Sequence, residues 1–131
     1  MKMRPAGFTL VELMIVVTIL GVLAAVAITQ YVASLERGRT SEARLLLQQI
    51  RSAQKSHKID YGEYAPLMEQ LDVEAPENCT STHYYRYAVN ATEGTATAER
   101  CTADGKSPDY GKNYTIAINY TTGVYTGLSG I

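Results

Sequence analysis

The sequence predicts an α+β protein in which one long N-terminal α-helix packs on a small antiparallel β-sheet. Residues 8–30 are almost continuously apolar and pass without a break into residues 31–62, where apolar side chains recur at helical spacing. Residues 63–131 are rich in Tyr, Thr, Gly and Ala, and short alternating stretches there are separated by turn residues, which is typical of strands. A chain of 131 residues has room for one domain and one additional element.

Composition excludes few functions but shows a division within the chain. A net charge of −1 with 19% charged residues gives no strong attraction to nucleic acid or anionic lipid. The continuous apolar character is concentrated before Leu35, and the remainder is polar. This division predicts a membrane-directed segment attached to a soluble domain.

The chain opens with a short basic segment followed by an abrupt apolar run. Lys2 and Arg4 precede Gly7, and the run extends from Phe8 to Ile28. A basic segment before such a run is typical of an export signal with its positive end in the cytoplasm. With its flanking residues the run approaches the roughly 20 residues that a helix needs to cross a bilayer.

Glu12 is the anomaly of the apolar run. An ionised carboxylate inside a membrane costs roughly 2.5–3.5 kcal/mol on insertion scales, so an acid there indicates a functional site with a partner. No Lys or Arg follows it within a helical turn or two. The nearest cation would be a new α-amino group, if the chain were cut just before Phe8.

The stretch Gly7-Phe8-Thr9-Leu10-Val11-Glu12-Leu13-Met14-Ile15 resembles the class III signal of type IV pilins and pseudopilins. The resemblance implies a pilin-like fold and a membrane peptidase that removes the leader 1–7 by cutting between Gly7 and Phe8. It further implies that the new amino terminus of Phe8 is methylated and that the apolar helix is retained. In that family the glutamate corresponding to Glu12 pairs with the amino terminus of a neighbouring subunit.

Two other interpretations of the first thirty residues remain open. Ala25-Val26-Ala27 offers a site for a conventional signal peptidase, which would release a protein beginning at Ile28. A plain single-span anchor also fits the hydropathy. Either alternative makes the protein a secreted or membrane-anchored binding module, and neither explains Glu12.

The second half of the predicted helix is amphipathic, and Gly62 provides a stop signal. We therefore expect one helix from Phe8 to about Ile59. Its predicted buried stripe recurs at steps of three and four residues: Ala43, Leu46, Ile50, Ala53 and His57.

Thr29 is one departure from the family. Many pilins carry a proline at the corresponding place, and proline kinks or weakens a helix. Its absence here predicts a straighter helix.

The head, residues 63–131, is predicted to contain three or four antiparallel strands covered on one face by the helix. Residues 67–71 fit a single helical turn. The predicted strands are 83–89, 95–100, 113–120 and 124–126, with a hairpin at 90–94.

Cys79 and Cys101 both lie in this head. Two cysteines in a domain that leaves the cytoplasm usually pair, and closing a loop of about 23 residues is worth roughly 3 kcal/mol. Two reduced thiols or half of a metal site are the alternatives. The spacing lacks a CxxC pair, which argues against zinc.

No catalytic motif is present, so we expect no enzyme, no cofactor and no bound metal. His57 and His83 fall on different predicted elements. The loop 104–109, with Asp104 and Asp109, has too few ligands for an EF-hand.

The resemblance implies a structural subunit of a type IV pilus-like filament, serving adhesion, twitching motility or DNA uptake. The expected partners are further copies of the chain, the inner membrane before assembly, the prepilin peptidase and the pilus assembly machinery. The expected locations are the inner membrane and then an extracellular filament. A periplasmic pseudopilin of a type II secretion system is the alternative within the family.

Overall fold

The computed structural model describes residues 7–102, 106 and 113–127. Helix α1 spans Leu10–Tyr61, and a single 3-10 turn follows at Met68–Gln70. Four strands come next: β1 at Tyr85–Asn90, β2 at Thr95–Arg100, β3 at Thr115–Asn119 and β4 at Tyr125–Thr126. The chain divides into two compact units whose boundary falls after Ser34, within α1.

Helix α1 confirms the prediction of one long helix, with its ends shifted. It begins two residues after Phe8 and ends two residues after Ile59. Gly62 adopts φ 85°, and its N–H donates to the carbonyl oxygen of Lys58 at 2.9 Å, which is the backbone of a C-terminal glycine cap. Helical structure continues through Thr29, whose hydroxyl donates to the carbonyl of Val26 at 2.9 Å. The straightness expected there stays a prediction.

The buried stripe of α1 differs from the predicted one by one position at two places. Ala43 and Ile50 are fully buried as expected, but Leu47 and Gln54 are buried where Leu46 and Ala53 were predicted. The latter two residues and His57 are only half-buried. Steps of three and four residues are compatible with both stripes. The folded head selects the stripe that includes Gln54, because the backbone of Ala65, in the loop after α1, supplies both partners of its amide.

The sheet has the strand order β1-β2-β3-β4, and all pairs are antiparallel. The prediction of strands is therefore confirmed, with β2 at the predicted bounds and the other strands shifted by at most two residues at either end. Ala98 of the second strand lies opposite Tyr87 on one side and Ile116 on the other. Alternate residues of the strands face the core, which contains the following buried side chains from the sheet: Tyr85, Tyr87, Ala96, Ala98, Ile116 and Ile118.

Cys79 and Cys101 form a disulfide, as expected from an exported domain. The bond ties the loop before β1 to the residue directly after β2. Cys101 is buried, whereas Cys79 is exposed. The loop 104–109 lies outside the described residues, apart from Lys106.

Substitution of neighbouring leucines tests whether Leu47 belongs to the buried face of α1. Leu47→Ala should lower the free energy of unfolding by about 2–5 kcal/mol, because a fully buried side chain leaves a cavity. Leu45→Ala, at a position that is 69% exposed, should change it by less than about 0.5 kcal/mol. The measurement is denaturant unfolding of the full chain in detergent, followed by tyrosine fluorescence. Equal losses in the two variants would contradict this packing.

Candidate assembly site

Residues 7–31 form an apolar segment whose side chains are all exposed in the single chain. Glu12 is the one Asp, Glu, Lys or Arg between Gly7 and Ser34. The helix is long and apolar enough to cross a membrane, and none of the residues in its most apolar window is buried. A surface of this size is stable only in a bilayer or against other apolar protein surfaces.

Thr9 and Glu12 cap the N-terminus of α1 through reciprocal hydrogen bonds. The backbone N–H and the hydroxyl of Thr9 both donate to Oε2 of Glu12, each at 3.0 Å. The backbone N–H of Glu12 donates back to the Thr9 hydroxyl at 3.2 Å. This is a capping box, with Thr9 as the N-cap residue and Glu12 three residues later. The sequence pattern T-x-x-E before an apolar run contains this signal, but our sequence analysis assigned no role to Thr9.

The capping box uses only one oxygen of the Glu12 carboxylate. Oε1 accepts no hydrogen bond from the described residues, and the side chain is exposed. Gly7 and Phe8 precede the helix in irregular backbone, and Phe8 is 88% exposed. The peptide bond between them is therefore accessible, and the carboxylate has an oxygen available for a second donor.

A buried hydrogen-bond network around Glu36, within residues 35–131, joins α1 to the sheet. Nε of Arg100 donates to Oε1 of Glu36 at 2.7 Å, and its Nη2 donates to Oε2 at 3.3 Å. Arg39 donates to Oε2 from the next turn of α1 at 3.1 Å, and the Tyr114 hydroxyl donates to Oε1 at 2.6 Å. Both Glu36 and Arg100 are almost completely buried. Neither residue was identified by the sequence analysis.

Hydrogen bonding in this network keeps Glu36 ionised. Burial raises the pKa of the Glu36 carboxyl, but the donors Arg100 and Tyr114 and the charge of Arg100 outweigh it and leave the pKa below its ordinary value. Burial, together with the adjacent carboxylate, raises the pKa of Tyr114 far above the usual range. Tyr85 lies 2.5 Å from the Tyr114 hydroxyl, oxygen to oxygen. Because Tyr114 donates its proton to Glu36, Tyr85 is the donor in that pair.

The described residues contain no group of three or more His, Cys, Asp or Glu side chains able to hold a metal. His57 lies on α1, where Nδ1 is 3.0 Å from the carbonyl oxygen of Glu63, and its ring stacks on Tyr61. His83 is exposed and precedes β1. The structure thus places the two histidines on separate elements.

Comparison with known proteins finds similarity that includes the N-terminal segment around Gly7 and Phe8. A sequence profile described as the prokaryotic N-terminal methylation motif matches residues 2–28. A type IV major pilin protein, PilA, of Myxococcus xanthus is 40% identical over 70% of this chain and 40% of its own length. A type IV major pilin protein, PilE1, of Neisseria gonorrhoeae is 32% identical over 84% of this chain and 66% of its own length. The chain thus spans less than two thirds of either relative.

Removing one member of the Glu36–Arg100 ion pair tests how much the fold depends on the pairing of these buried charges. Arg100→Leu should lower the free energy of unfolding by about 3–5 kcal/mol, because Glu36 loses its main partner while still buried. The double variant Glu36→Leu/Arg100→Leu should recover most of that loss, since no unpaired charge remains. The measurement is urea unfolding of the full chain in detergent.

The control is Arg86→Leu, which breaks the half-exposed pair with Glu99 and should cost less than about 1 kcal/mol. A double variant as unstable as Arg100→Leu alone would contradict the account.

Proposed function

Because this chain belongs to the type IV pilin and pseudopilin family, we propose that it is the precursor of a structural subunit of a pilus filament. Its activity in this proposal is mechanical rather than catalytic. Before assembly the subunit is anchored in the inner membrane by the apolar half of α1. It is then added to a helical homopolymer that extends from the cell. The names of the curated relatives, major pilin and fimbrial protein, support a pilus. Attachment, twitching motility and DNA uptake are the proposed uses of the filament.

In the first step a membrane peptidase removes the leader 1–7 and methylates the amino group of Phe8. The methylation-motif match over residues 2–28 and the irregular, exposed backbone at Gly7 and Phe8 support this step. Methylation leaves the amine positively charged. Cleavage therefore creates a cation four residues before Glu12, in a segment that had none.

In the second step Glu12 pairs with the amino terminus of a neighbouring subunit. The observation that carries this proposal is the single exposed carboxylate in an otherwise uncharged apolar segment, with Oε1 free to accept a donor. The Thr9 cap leaves that oxygen available while it holds the other. An ammonium donor next to this carboxylate makes a short, charge-assisted hydrogen bond.

The apolar surface and the ion pair have different consequences for assembly. Transfer of the apolar half of α1 from lipid to a core of its own copies changes the hydrophobic free energy little, because both environments are dry. A subunit displaced by one position leaves Glu12 unpaired in that core, which is strongly unfavourable. The apolar contacts therefore provide cohesion, and the ion pair determines the register.

Intact-mass spectrometry of filaments sheared from the cell surface tests the function. We expect an abundant species that begins at singly methylated Phe8 and carries one disulfide. A processed chain found only in the membrane fraction would instead indicate a type II secretion pseudopilin or a minor pilin. A mature chain beginning at Ile28 would overturn the proposal in favour of a secreted binding module.

Substitution of Glu12 separates its charge from its capping role. Glu12→Gln keeps an oxygen that can accept from Thr9 but removes the charge, since glutamine also serves in capping boxes. We expect this variant to be cleaved normally and to yield at least about tenfold fewer sheared filaments, the loss that about 1.4 kcal/mol per subunit contact produces.

The matched control is Thr18→Val, which changes another polar residue of the apolar segment. Among the described residues the Thr18 hydroxyl bonds only to the carbonyl of Met14, so filament yield should not change. Normal filament yield from Glu12→Gln would show that the charge does not fix the register.

A further inference from the structure

Acidic residues are concentrated where α1 ends and the following loop begins. Between Ile59 and Thr82 the sequence contains no Lys or Arg. Every acid in that stretch is exposed, and none of them forms an ion pair within the described residues: Asp60, Glu63, Glu69, Asp72, Glu74 and Glu77. We call this stretch, residues 60–77, the acidic band.

A groove of about 530 Å³ lies within the acidic band, between the last turns of α1 and residues 70–73. Asp60 lines it from the helix and Asp72 from the loop, and Ser52 and Ser56 form part of its floor. No Lys or Arg of the described residues lines it. An aspartate near the C-terminus of a helix is unfavourable for the helix itself by about 0.3–1 kcal/mol, so helix stability does not explain Asp60.

Most cations on the same half of α1 have partners within their own chain. Arg39 donates to Glu36, and Arg51 donates to the carbonyl oxygens of Tyr120 and Thr121. The ammonium group of Lys58 lies 4.3 Å from the centre of the Tyr64 ring. These side chains are therefore committed to the fold of the head.

Arg37 and Lys55 are different from these cations. Both are exposed, and neither charged group makes a hydrogen bond or ion pair in the described part of the chain. Lys55 lies on the last turns of α1, near the groove, whereas Arg37 is the first Lys or Arg after the apolar segment. Arg37 and Asp60 are 23 positions apart, which corresponds to roughly 35 Å along the helix.

We propose that the groove receives Arg37 of a second copy, placed further along the filament, so that Arg37 pairs with Asp60 and Asp72. The inference rests on the proposed filament. In a head-to-tail polymer, each subunit uses two different surfaces to contact its neighbours. The amphipathic half of α1 carries the cation Arg37 near its start and the acid Asp60 near its end, and these opposite charges are complementary surfaces of that kind. A copy displaced by about 35 Å along the helix direction brings its Arg37 level with Asp60 of the first copy.

A charge swap tests this contact in full-length subunits expressed in the native host. Arg37→Glu and Asp72→Arg should each reduce sheared filaments at least about tenfold, the change expected for about 1.4 kcal/mol. The double variant Arg37→Glu/Asp72→Arg should restore the yield to within about twofold, because the opposite charges meet again with their signs exchanged. Mature subunit in the membrane fraction should stay constant throughout, which excludes misfolding as the cause.

Two controls carry the same charge changes at exposed sites outside the groove, Lys55→Glu and Glu93→Lys. Both should assemble normally. Normal assembly of the single groove variants would overturn the inference while leaving the filament itself established. Loss of filaments without recovery in the double variant would also overturn the inference. A reduced level of mature Arg37→Glu subunit in the membrane would instead indicate that Arg37 contacts the lipid surface.

Proximity can be tested independently with Arg37→Cys/Asp72→Cys and a bifunctional thiol reagent long enough to span an Arg–Asp pair. Filaments of this variant should form covalent multimers with the reagent, whereas each single cysteine variant should not. Absence of multimers in assembled, reagent-treated filaments would contradict the contact. A wild-type chain that formed no filaments at all would instead be a failure of the proposed function.

Discussion

The exposed apolar half of α1 limits the environments that suit this chain. The side chains of residues 7–31 contact little else among the described residues, and an exposed apolar surface of this extent marks a contact with a membrane or with other protein. Both environments satisfy the hydrophobic requirement to a similar extent. Discrimination between a correct and an incorrect arrangement of subunits must then come from polar groups, which are few in this half and dominated by Glu12.

The other half of α1 meets a different requirement, because it must bind one sheet in one register. The Glu36–Arg100 pair joins it to the end of β2, next to the disulfide at Cys101. A buried ion pair contributes little net stability compared with apolar side chains of similar volume, but a misplaced one is costly. Each nitrogen of the Arg100 guanidinium has an acceptor, since Nη1 donates to the carbonyl oxygens of Tyr84 and Cys101. We infer that this pair makes the register of helix on sheet specific.

Sequence patterns predicted the elements of this fold well because they depend on local chemistry. The uninterrupted apolar run predicted the long helix, and Gly62 predicted its end. The alternation in residues 113–120 predicted β3. They could not give the phase of the buried stripe, since steps of three and four residues permit either Leu46 or Leu47. Gln54 was passed over because it is polar. Its amide exchanges two hydrogen bonds with the backbone of Ala65, a partner that only the folded head supplies.

Polar groups in this chain therefore fall into two kinds, and the distinction bears on assembly. Glu36, Gln54 and Arg100 are buried, and their hydrogen-bond partners lie within residues 35–131 of the same chain. Glu12 has one oxygen engaged and one available, and Arg37 has no partner in the described residues. Groups of the first kind specify how one chain folds. Groups of the second kind are the ones that the proposed filament would engage, and their different chemistry would give each subunit the two distinct surfaces that an open helical polymer requires.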